Sequence, residues 1–169
     1  HKDTSVPIWA IFEVLTLGEF GNFYSCLSYG VRREVSIKLG FHQPSDSDAF
    51  LTKKIIFAIK ELRNAVAHND VIFDTRFSRS SIDKSLSSSL EIVTGIKSIT
   101  FKSITDYIIL VVYLLKCFGV PKGDMRRFVA EFQDNIETLR KQIPTSLFAR
   151  IVLTDTRPKL KSLQEYIRK

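Results

Sequence analysis

An arginine and a histidine lie five positions apart in the stretch ELRNAVAHND, which runs from Glu61 to Asp70. Histidine titrates near neutral pH, so its side chain can accept or donate a proton under cellular conditions. Arginine stays charged and presents a planar fork of N–H donors to phosphate oxygens. Together, Arg63 and His68 suit the cleavage of RNA by its own 2′-hydroxyl group, which needs neither a metal ion nor a protein nucleophile.

Each polar residue near this pair has a role in such a reaction. His68 would transfer a proton, and Arg63 would stabilise the charge on the phosphate in the transition state. Asn64 would orient the histidine or bind a phosphate or ribose oxygen, and Lys60 and Arg76 are candidates for binding the RNA backbone. DNA lacks the attacking hydroxyl group and would be bound without being cut. Spacing alone leaves an ordinary solvated helix face equally open as an interpretation.

The element that must position these residues is a helix predicted from about Asp48 to Asn69. Its apolar residues recur at the 3.6-residue spacing of one helix face. They are Leu51, Ile55, Ala58, Ile59, Leu62, Ala65 and Val66. At about 100° per residue, Arg63, Asn64, Ala67 and His68 fall away from this stripe in an arc about 140° wide. The small side chain of Ala67 would let another helix approach closely.

The angle between Arg63 and His68 limits the mechanism. On one straight helix the two side chains point about 140° apart and are separated by about 7.5 Å of rise, so they do not converge on one atom. Either the helix ends near Ala67 and turns His68 inward, or a second copy of the chain completes the site. Two such faces packed about a two-fold axis would gather two arginines and two histidines around one groove.

The remaining sequence predicts further helices. A helix starts at Pro7, Gly18 and Gly21 interrupt the pattern, and it then continues in one or two pieces. The polar segment HQPSDSD, residues 42–48, places Ser and Asp to cap the helix that follows. Helical patterns also cover residues 103–119, with Gly119 and Pro121 as the stop, residues 122–142 and residues 143–153. The basic tail after Pro158 is predicted to be helical if it docks.

These patterns favour one all-α domain. A chain of 169 residues with 44% apolar content can bury a hydrophobic core. Alternating strand patterns are scarce, and there is no internal repeat, heptad run or glycine-rich phosphate loop. The serine-rich stretch SRSSIDKSLSSS, residues 78–89, is interpreted as a solvated connection or a short capped turn. We therefore expect a single helical bundle over residues 1–169.

The composition limits which binding partners and which cellular compartment we expect for this protein. The formal charge of +7 indicates a polyanionic partner, with nucleic acid and anionic membrane equally attractive on charge alone. Cys26 and Cys117 have no close-spaced partner, which favours free thiols in a reducing compartment such as the cytoplasm. The three histidines lack the spacing of a zinc site, so we expect neither metal nor cofactor. The most apolar stretch, residues 107–115, is about half the roughly 18 residues that span a bilayer, which favours a buried helix.

Several other residues have structural interpretations. Trp9 on an apolar helix is expected in the core. Glu13 on the same helix is expected in a salt bridge or a cap rather than in catalysis. His42 is expected in solvent. The pairs Arg32 with Arg33 and Arg126 with Arg127 are also expected to be solvated.

Two blocks of the sequence resemble a known family. RNAVAH resembles the Arg-polar-x-x-x-His signature of HEPN domains, with Arg63, Asn64 and His68 on the signature positions. PIWAIFEVLTLGEFGNFY resembles the Pro-x-Trp-x-x-x-Glu-x-x-(Thr/Ser)-x-Gly block of Abi-like proteins, the abortive-infection HEPN family of bacteria. The matching residues of this block are Pro7, Trp9, Glu13, Thr16 and Gly18. The blocks occur in the family's order and at about its spacing, and the resemblance spans roughly Val6 to Phe77.

The resemblance implies a HEPN-like helical bundle, a homodimer with the motif at or near its interface, and metal-independent endoribonuclease activity. It also implies a toxin or abortive-infection effector that cuts cellular RNA and is restrained by an antitoxin protein or RNA. Relatives usually carry a sizeable region before the Pro-x-Trp block, and this sequence begins at His1, so we expect a fragment of a longer protein. The alternatives are a catalytically silent helical module that binds RNA or a partner through the same face, and a purely structural dimerisation domain.

Overall fold

The computed structural model describes residues 7–67 and 82–169, and these ranges contain helices and no strands. The helices are α1 (Ile8–Val14), α2 (Leu17–Cys26), α3 (Tyr29–Lys38), α4 (Leu51–Ala67), α5 (Lys84–Thr94), α6 (Ile104–Cys117), α7 (Lys122–Gln142), α8 (Thr145–Ile151) and α9 (Thr156–Arg168). The prediction of an all-α fold is confirmed. None of these helices is long and apolar enough to cross a membrane.

Helix α6 lies at the centre of the core. Every residue from Ile104 to Leu110 is buried, and the helix packs against α4, α5, α7 and α9. The apolar stretch at residues 107–115 is therefore a buried helix, as predicted. Gly119 follows α6 with a φ of +73°, a left-handed conformation that costs glycine little and ends a helix.

The C-terminal helices close the other side of the core. Helix α7 buries Met125, Val129 and Ile136, and Pro144 lies at the N-cap of α8 as predicted. The basic tail docks as α9, which buries Lys159, Leu160, Leu163, Tyr166 and Ile167. Pro158 lies in the first turn of α9, where its missing N–H group has no intrahelical acceptor to lose. The tail docks and is helical, as the sequence predicts for a docked tail.

A buried ion pair connects α9 to α6. The Nζ atom of Lys159 lies 2.7 Å from Asp106 Oδ1 and 2.8 Å from Asp155 Oδ2. The other carboxylate oxygen of Asp106 accepts hydrogen bonds from the backbone N–H groups of Thr100 and Phe101 at 3.0 and 2.9 Å. The side chains of Lys159 and Asp106 are 5% and 0% exposed. Removing either partner would leave an uncompensated charge in the core.

The first two helices break at a different place from the one predicted. Gly18 and Gly21 lie inside α2, and the break falls at Leu15 and Thr16. The hydroxyl of Thr16 accepts a hydrogen bond from the N–H of Glu19 at 3.2 Å, and the Glu19 carboxylate accepts one from the N–H of Thr16 at 2.8 Å. This reciprocal capping box fixes the start of α2. The prediction that the glycines interrupt the helix was wrong.

The serine-rich stretch is helical over part of its length, which corrects its interpretation as a connection. The Asp83 carboxylate accepts a hydrogen bond from the N–H of Ser85 at 2.8 Å and caps α5. Leu86 and Leu90 lie one turn apart and are buried with Ser89. Two leucines at that spacing anchor one face, so serines can occupy much of the remainder of the helix. Residues 78–81 lie outside the described ranges.

Trp9 is not in the core, so the prediction that it is buried was wrong. Its side chain is 60% exposed, because α1 packs on α2 through Phe12, whose ring centroid lies 5.9 Å from that of Phe20 and 5.6 Å from that of Phe23. Glu13 is exposed as well. It forms no ion pair or cap with any residue of the described ranges, so the predicted partner is not found there.

Two further residues differ from the solvated state expected of them. The guanidinium of Arg32 donates to the carbonyl groups of Leu27 and Asp48 and lies 4.1 Å from the ring centroid of Phe50, so it ties α3 to the start of α4. His42 is half-buried, and its Nδ1 atom is enclosed without a hydrogen-bond partner in the part of the chain described here. Arg33, Arg126 and Arg127 are exposed, as predicted.

Candidate functional site

The candidate site lies on α4, whose N-terminal end is fixed by two carboxylates. Asp46 accepts hydrogen bonds from the backbone N–H groups of Phe50 and Leu51 at 3.1 Å, and Asp48 accepts one from Phe50 at 3.1 Å. Burial raises the pKa of Asp46, although the backbone donors favour its charged form. The polar segment before α4 therefore caps the helix, as predicted from its serine and aspartate residues.

The apolar stripe of α4 holds the helix against the protein interior. Leu51, Ile55, Ala58 and Ala65 are buried, and Ile59 and Leu62 pack half-buried against the core. Val66 departs from the prediction, because its side chain is 57% exposed. Helix α4 packs against α2, α5 and α6, so three neighbours fix the direction in which its opposite face points.

Arg63 and Asn64 lie on the face of α4 that turns away from the core, as predicted. The Arg63 Nη1 atom donates a hydrogen bond to Asn64 Oδ1 at 3.1 Å. Arg63 is exposed and Asn64 is half-buried, so the amide steadies a guanidinium that an incoming anion can still reach. No carboxylate of the described ranges lies within ion-pair distance of Arg63. The residue that the sequence assigns to phosphate binding thus presents an exposed positive charge.

Lys60 belongs to the same face, one turn before this pair. Its Nζ atom lies 3.6 Å from Glu61 Oε1 and 5.1 Å from the ring centroid of Phe57. The stem of Lys60 passes beside Gly18 of α2, where an added Cβ atom would lie 3.4 Å from Lys60 Cδ. Lys60 is thus half-buried between α2 and α4, and the adjacent carboxylate partly neutralises its charge.

Close packing of α2 on α4 brings the two sequence blocks together. A Cβ atom added to Gly21 would lie 2.7 Å from Phe57 Cε2 and 3.3 Å from Ile56 Cγ2. Only a residue without a side chain allows this approach. The block around Gly18 and the helix that carries Arg63 are therefore neighbours in space. Both blocks were identified from the sequence, but the contact between them was not. Gly18 and Gly21 were the sequence feature that could have indicated this close packing.

The structure leaves part of the predicted site untested. His68 and Arg76 lie outside the described residues, so the separation between Arg63 and His68 is still a prediction. Within the described ranges, no group of three or more His, Cys, Asp or Glu side chains is placed to hold a metal ion. Cys26 and Cys117 are free thiols, and burial raises the pKa of Cys117, which disfavours its reactive thiolate form.

Comparison with known proteins bears on the first part of the chain. Residues 1–74 match a protein family described as Abi-like protein. The matched range contains α1, α2 and α3, helix α4 with Arg63 and Asn64, and the position of His68. No curated protein and no solved structure matches the chain.

Proposed function

We propose that this chain, whose residues 1–74 match the Abi-like protein family, is a metal-independent endoribonuclease that acts as a toxin or abortive-infection effector in phage defence. The family supports a role in abortive infection. The endonuclease activity rests on one observation above all. Arg63, hydrogen-bonded to Asn64, presents an exposed guanidinium on the face of α4 that turns away from the core, and no carboxylate of residues 7–67 or 82–169 lies within ion-pair distance of it.

The proposed reaction cuts RNA at a phosphodiester bond through the neighbouring 2′-oxygen. The 2′-hydroxyl gives up its proton to a histidine, its oxygen bonds to phosphorus, and the bond from phosphorus to the 5′-oxygen breaks. The products are a 2′,3′-cyclic phosphate and a 5′-hydroxyl group, which takes up a proton. His68 would carry one of these protons, and Arg63 would stabilise the extra negative charge on the phosphate oxygens.

The proposal includes the assembly implied by the resemblance. Two HEPN-like bundles would form a homodimer in the cytoplasm, with Arg63 and His68 of both chains around one groove. The second His68 would then be available to protonate the leaving 5′-oxygen. Lys60 and Arg76 would bind flanking phosphates, and an antitoxin protein or RNA would restrain the activity. No cofactor takes part in this scheme.

A second candidate function is a catalytically silent module that binds RNA or a partner protein through the same face. Its support is the apolar surface beside Arg63, where Val66 is 57% exposed and Ala67 is exposed as well. An exposed valine next to small and cationic side chains suits a protein contact as well as a substrate.

An RNA degradation assay in the presence of EDTA separates the two candidates. The wild-type chain should cut single-stranded RNA and leave 2′,3′-cyclic phosphate ends, and it should not cut DNA of the same sequence. His68→Ala should slow cleavage by about 10²–10⁴, the usual scale of general acid–base catalysis, while RNA binding persists. Arg127→Ala, an exposed substitution on α7, serves as the control. If wild type binds RNA to saturation without cutting it, the silent module is the correct function.

A further inference from the structure

Nearly all of the net positive charge belongs to the last thirty residues. Residues 140–169 contain eight Lys or Arg and two Asp or Glu, a net charge of +6, which leaves +1 for residues 1–139. Only one of the eight cations, Lys159, is buried. The exposed ones are Arg140, Lys141, Arg150, Arg157, Lys161, Arg168 and Lys169. This part of the chain lies outside the range that matches the Abi-like family.

Two of these exposed cations, Arg140 and Arg157, line a groove of about 620 Å³ formed by α7, α8 and α9. Apolar side chains contribute much of its lining, namely Ile136, Phe148, Val152, Leu153 and Leu160. Ile136 and Leu160 are buried, whereas Leu153 is 43% exposed at the edge. An apolar groove open at its edge, with polar side chains around it, is typical of a binding site.

Two arginines line the groove and share one carboxylate. Arg157 Nη2 lies 2.6 Å from Glu137 Oε1, and Arg140 Nη1 lies 3.5 Å from Glu137 Oε2. The hydrogen bond from Arg157 lowers the pKa of Glu137, so this carboxylate stays charged near neutral pH. Two positive charges beside one negative charge leave a net charge of +1 next to the apolar surface.

The lining favours an amphipathic protein helix over other occupants. Nucleic acid bases bind by stacking on aromatic rings, and this groove offers one ring, Phe148, among aliphatic side chains. A second copy of the chain would bring an equally basic segment against the first, which like charge disfavours. An amphipathic helix places apolar residues at i, i+3 or i+4, and i+7 into such a groove.

We propose that the groove between α7, α8 and α9 binds an amphipathic helix of a partner protein whose polar face is acidic. The apolar side of that helix would cover Phe148 and Leu153. Its carboxylates would pair with Arg140 and Arg157, which Glu137 neutralises only in part. The proposal does not depend on RNA cleavage. The groove residues lie outside residues 1–74, which match the Abi-like family, and peptide binding is measured without a cleavage assay.

Fluorescence anisotropy with synthetic peptides tests this proposal on the full chain. The probes are eighteen-residue helical peptides with Leu, Ile or Phe on one face and Glu on the other, in a panel that varies the apolar residue. Matched probes carry Lys in place of Glu, or the same composition with the apolar spacing scrambled. We expect binding by acidic amphipathic members, and affinities at least about tenfold lower for both matched sets.

Two substitutions locate the binding. Ala149→Trp would fill the groove from an exposed position, and Arg140→Glu would reverse a charge at its edge, so each should lower the affinity by about tenfold or more. Arg126→Glu makes the same charge change on an exposed position of α7 that does not line the groove, and it should bind as wild type. Melting temperatures of the three variants equal to that of wild type would exclude unfolding as the cause of weaker binding.

Any of the following results would overturn the proposal. The first is that no acidic peptide binds at about 1 mM, the weak end of measurable affinities. The second is equal binding of the acidic and basic panels, or wild-type binding by both groove variants. The third is displacement of the acidic peptide by single-stranded RNA with higher affinity and the same dependence on Arg140, which would assign this face to nucleic acid.

Discussion

At the scale of single residues, the hydrogen bond between Arg63 and Asn64 decides how the candidate site presents its charge. Two adjacent side chains on one helix turn hold each other at 3.1 Å while the guanidinium stays exposed. One donor of Arg63 is engaged by the amide, and the planar group retains further N–H groups for a phosphate. This arrangement makes the shape of the cation, as well as its charge, important for the proposed reaction.

Arg63→Lys tests that requirement. Lysine keeps the charge but loses the planar fork, so we expect most cleavage activity to be lost while the melting temperature stays within error of wild type. Cleavage rates and thermal melts on the same preparation give the two readings. Arg127→Lys, which changes an exposed arginine paired with Asp124 at 3.0 Å, is the matched control. Normal cleavage by Arg63→Lys would make Arg63 a generic cation and favour the silent module.

At the scale of the elements, the contact between α2 and α4 connects the N-terminal block with the helix that carries the site. The capping box of Thr16 and Glu19 starts α2 at a fixed residue. Gly21 then brings its backbone against Phe57 of α4. These contacts leave few voids, so they restrict where a neighbouring side chain can lie. The position of Lys60 depends on them.

Gly21→Ala should therefore destabilise the fold although alanine is the better helix former. The new Cβ atom would lie 2.7 Å from the Phe57 ring and force it to move, at a cost of about 1–3 kcal/mol, which over most of that range is larger than the gain in helix propensity of about 1 kcal/mol. Gly123→Ala is the control, because an added Cβ meets nothing within 4 Å there, and it should be neutral or slightly stabilising. Urea denaturation measures both. A free energy of unfolding for Gly21→Ala equal to or above that of wild type would contradict this prediction, and a gain of about 1 kcal/mol would show that Phe57 moves without cost.

At the scale of the whole molecule, α9 completes the core and carries basic residues on its outer surface. Its attachment combines apolar packing with the buried contact from Lys159 to Asp106. A lysine inside the core is stable there only because two carboxylates surround it. The attachment of α9, and with it the groove between α7, α8 and α9, therefore depends in part on one buried cation.

Lys159→Met should cost about 3–5 kcal/mol in the free energy of unfolding, because it leaves Asp106 buried without its counter-charge. Lys161→Met, which changes an exposed lysine of the same helix, should cost little. Chemical denaturation of the two variants makes the comparison. A loss below about 1 kcal/mol for Lys159→Met would mean that Asp106 takes a proton or is reached by water at little cost.

The same ion pair predicts a loss of stability at alkaline pH. Burial works against the charged form of Lys159, but hydrogen bonds with Asp106 and Asp155 raise its pKa above the ordinary value. The stabilisation is thus fully present below about pH 10.4, the usual lysine pKa, and is lost as pH rises through the raised value in the folded protein. Lys159→Met should lack this component of the pH dependence. Denaturation of both proteins between neutral and alkaline pH measures the difference.

A shared site between two chains is the prediction that concerns assembly. Arg63→Ala and His68→Ala homodimers should each be inactive or nearly so. Refolding the two proteins together gives mixed dimers in which one chain supplies the intact arginine and the other the intact histidine, so part of the activity should return. No return despite verified mixed dimers would place each site within one chain, or require all four residues. A monomer that still cuts RNA would contradict the shared site.

The sequence by itself determined most of the helices, but not α5 or the break between α1 and α2, and it determined the side of α4 on which Arg63 and Asn64 lie. Periodicity and capping residues act over one or two turns, so they could be read without the fold. The stop at Gly119 and the helical character of the tail followed from such local patterns, whereas the docking of the tail did not. The Abi-like resemblance was equally local, because it rests on two short blocks within the residues that the family matches.

Only the tertiary structure decided which side chains of each helix are buried and which residues they contact. Trp9 is exposed although its helix is apolar, because Phe12 makes the contact with α2 instead. Arg32 donates to the carbonyl group of Asp48, which lies 16 positions later in the chain, and Gly21 packs closely against Phe57, 36 positions later. Lys159 is buried because its partner Asp106 lies 53 positions earlier. Packing depends on distant partners that no local pattern contains, since burial is shared between surfaces that meet only in the folded chain.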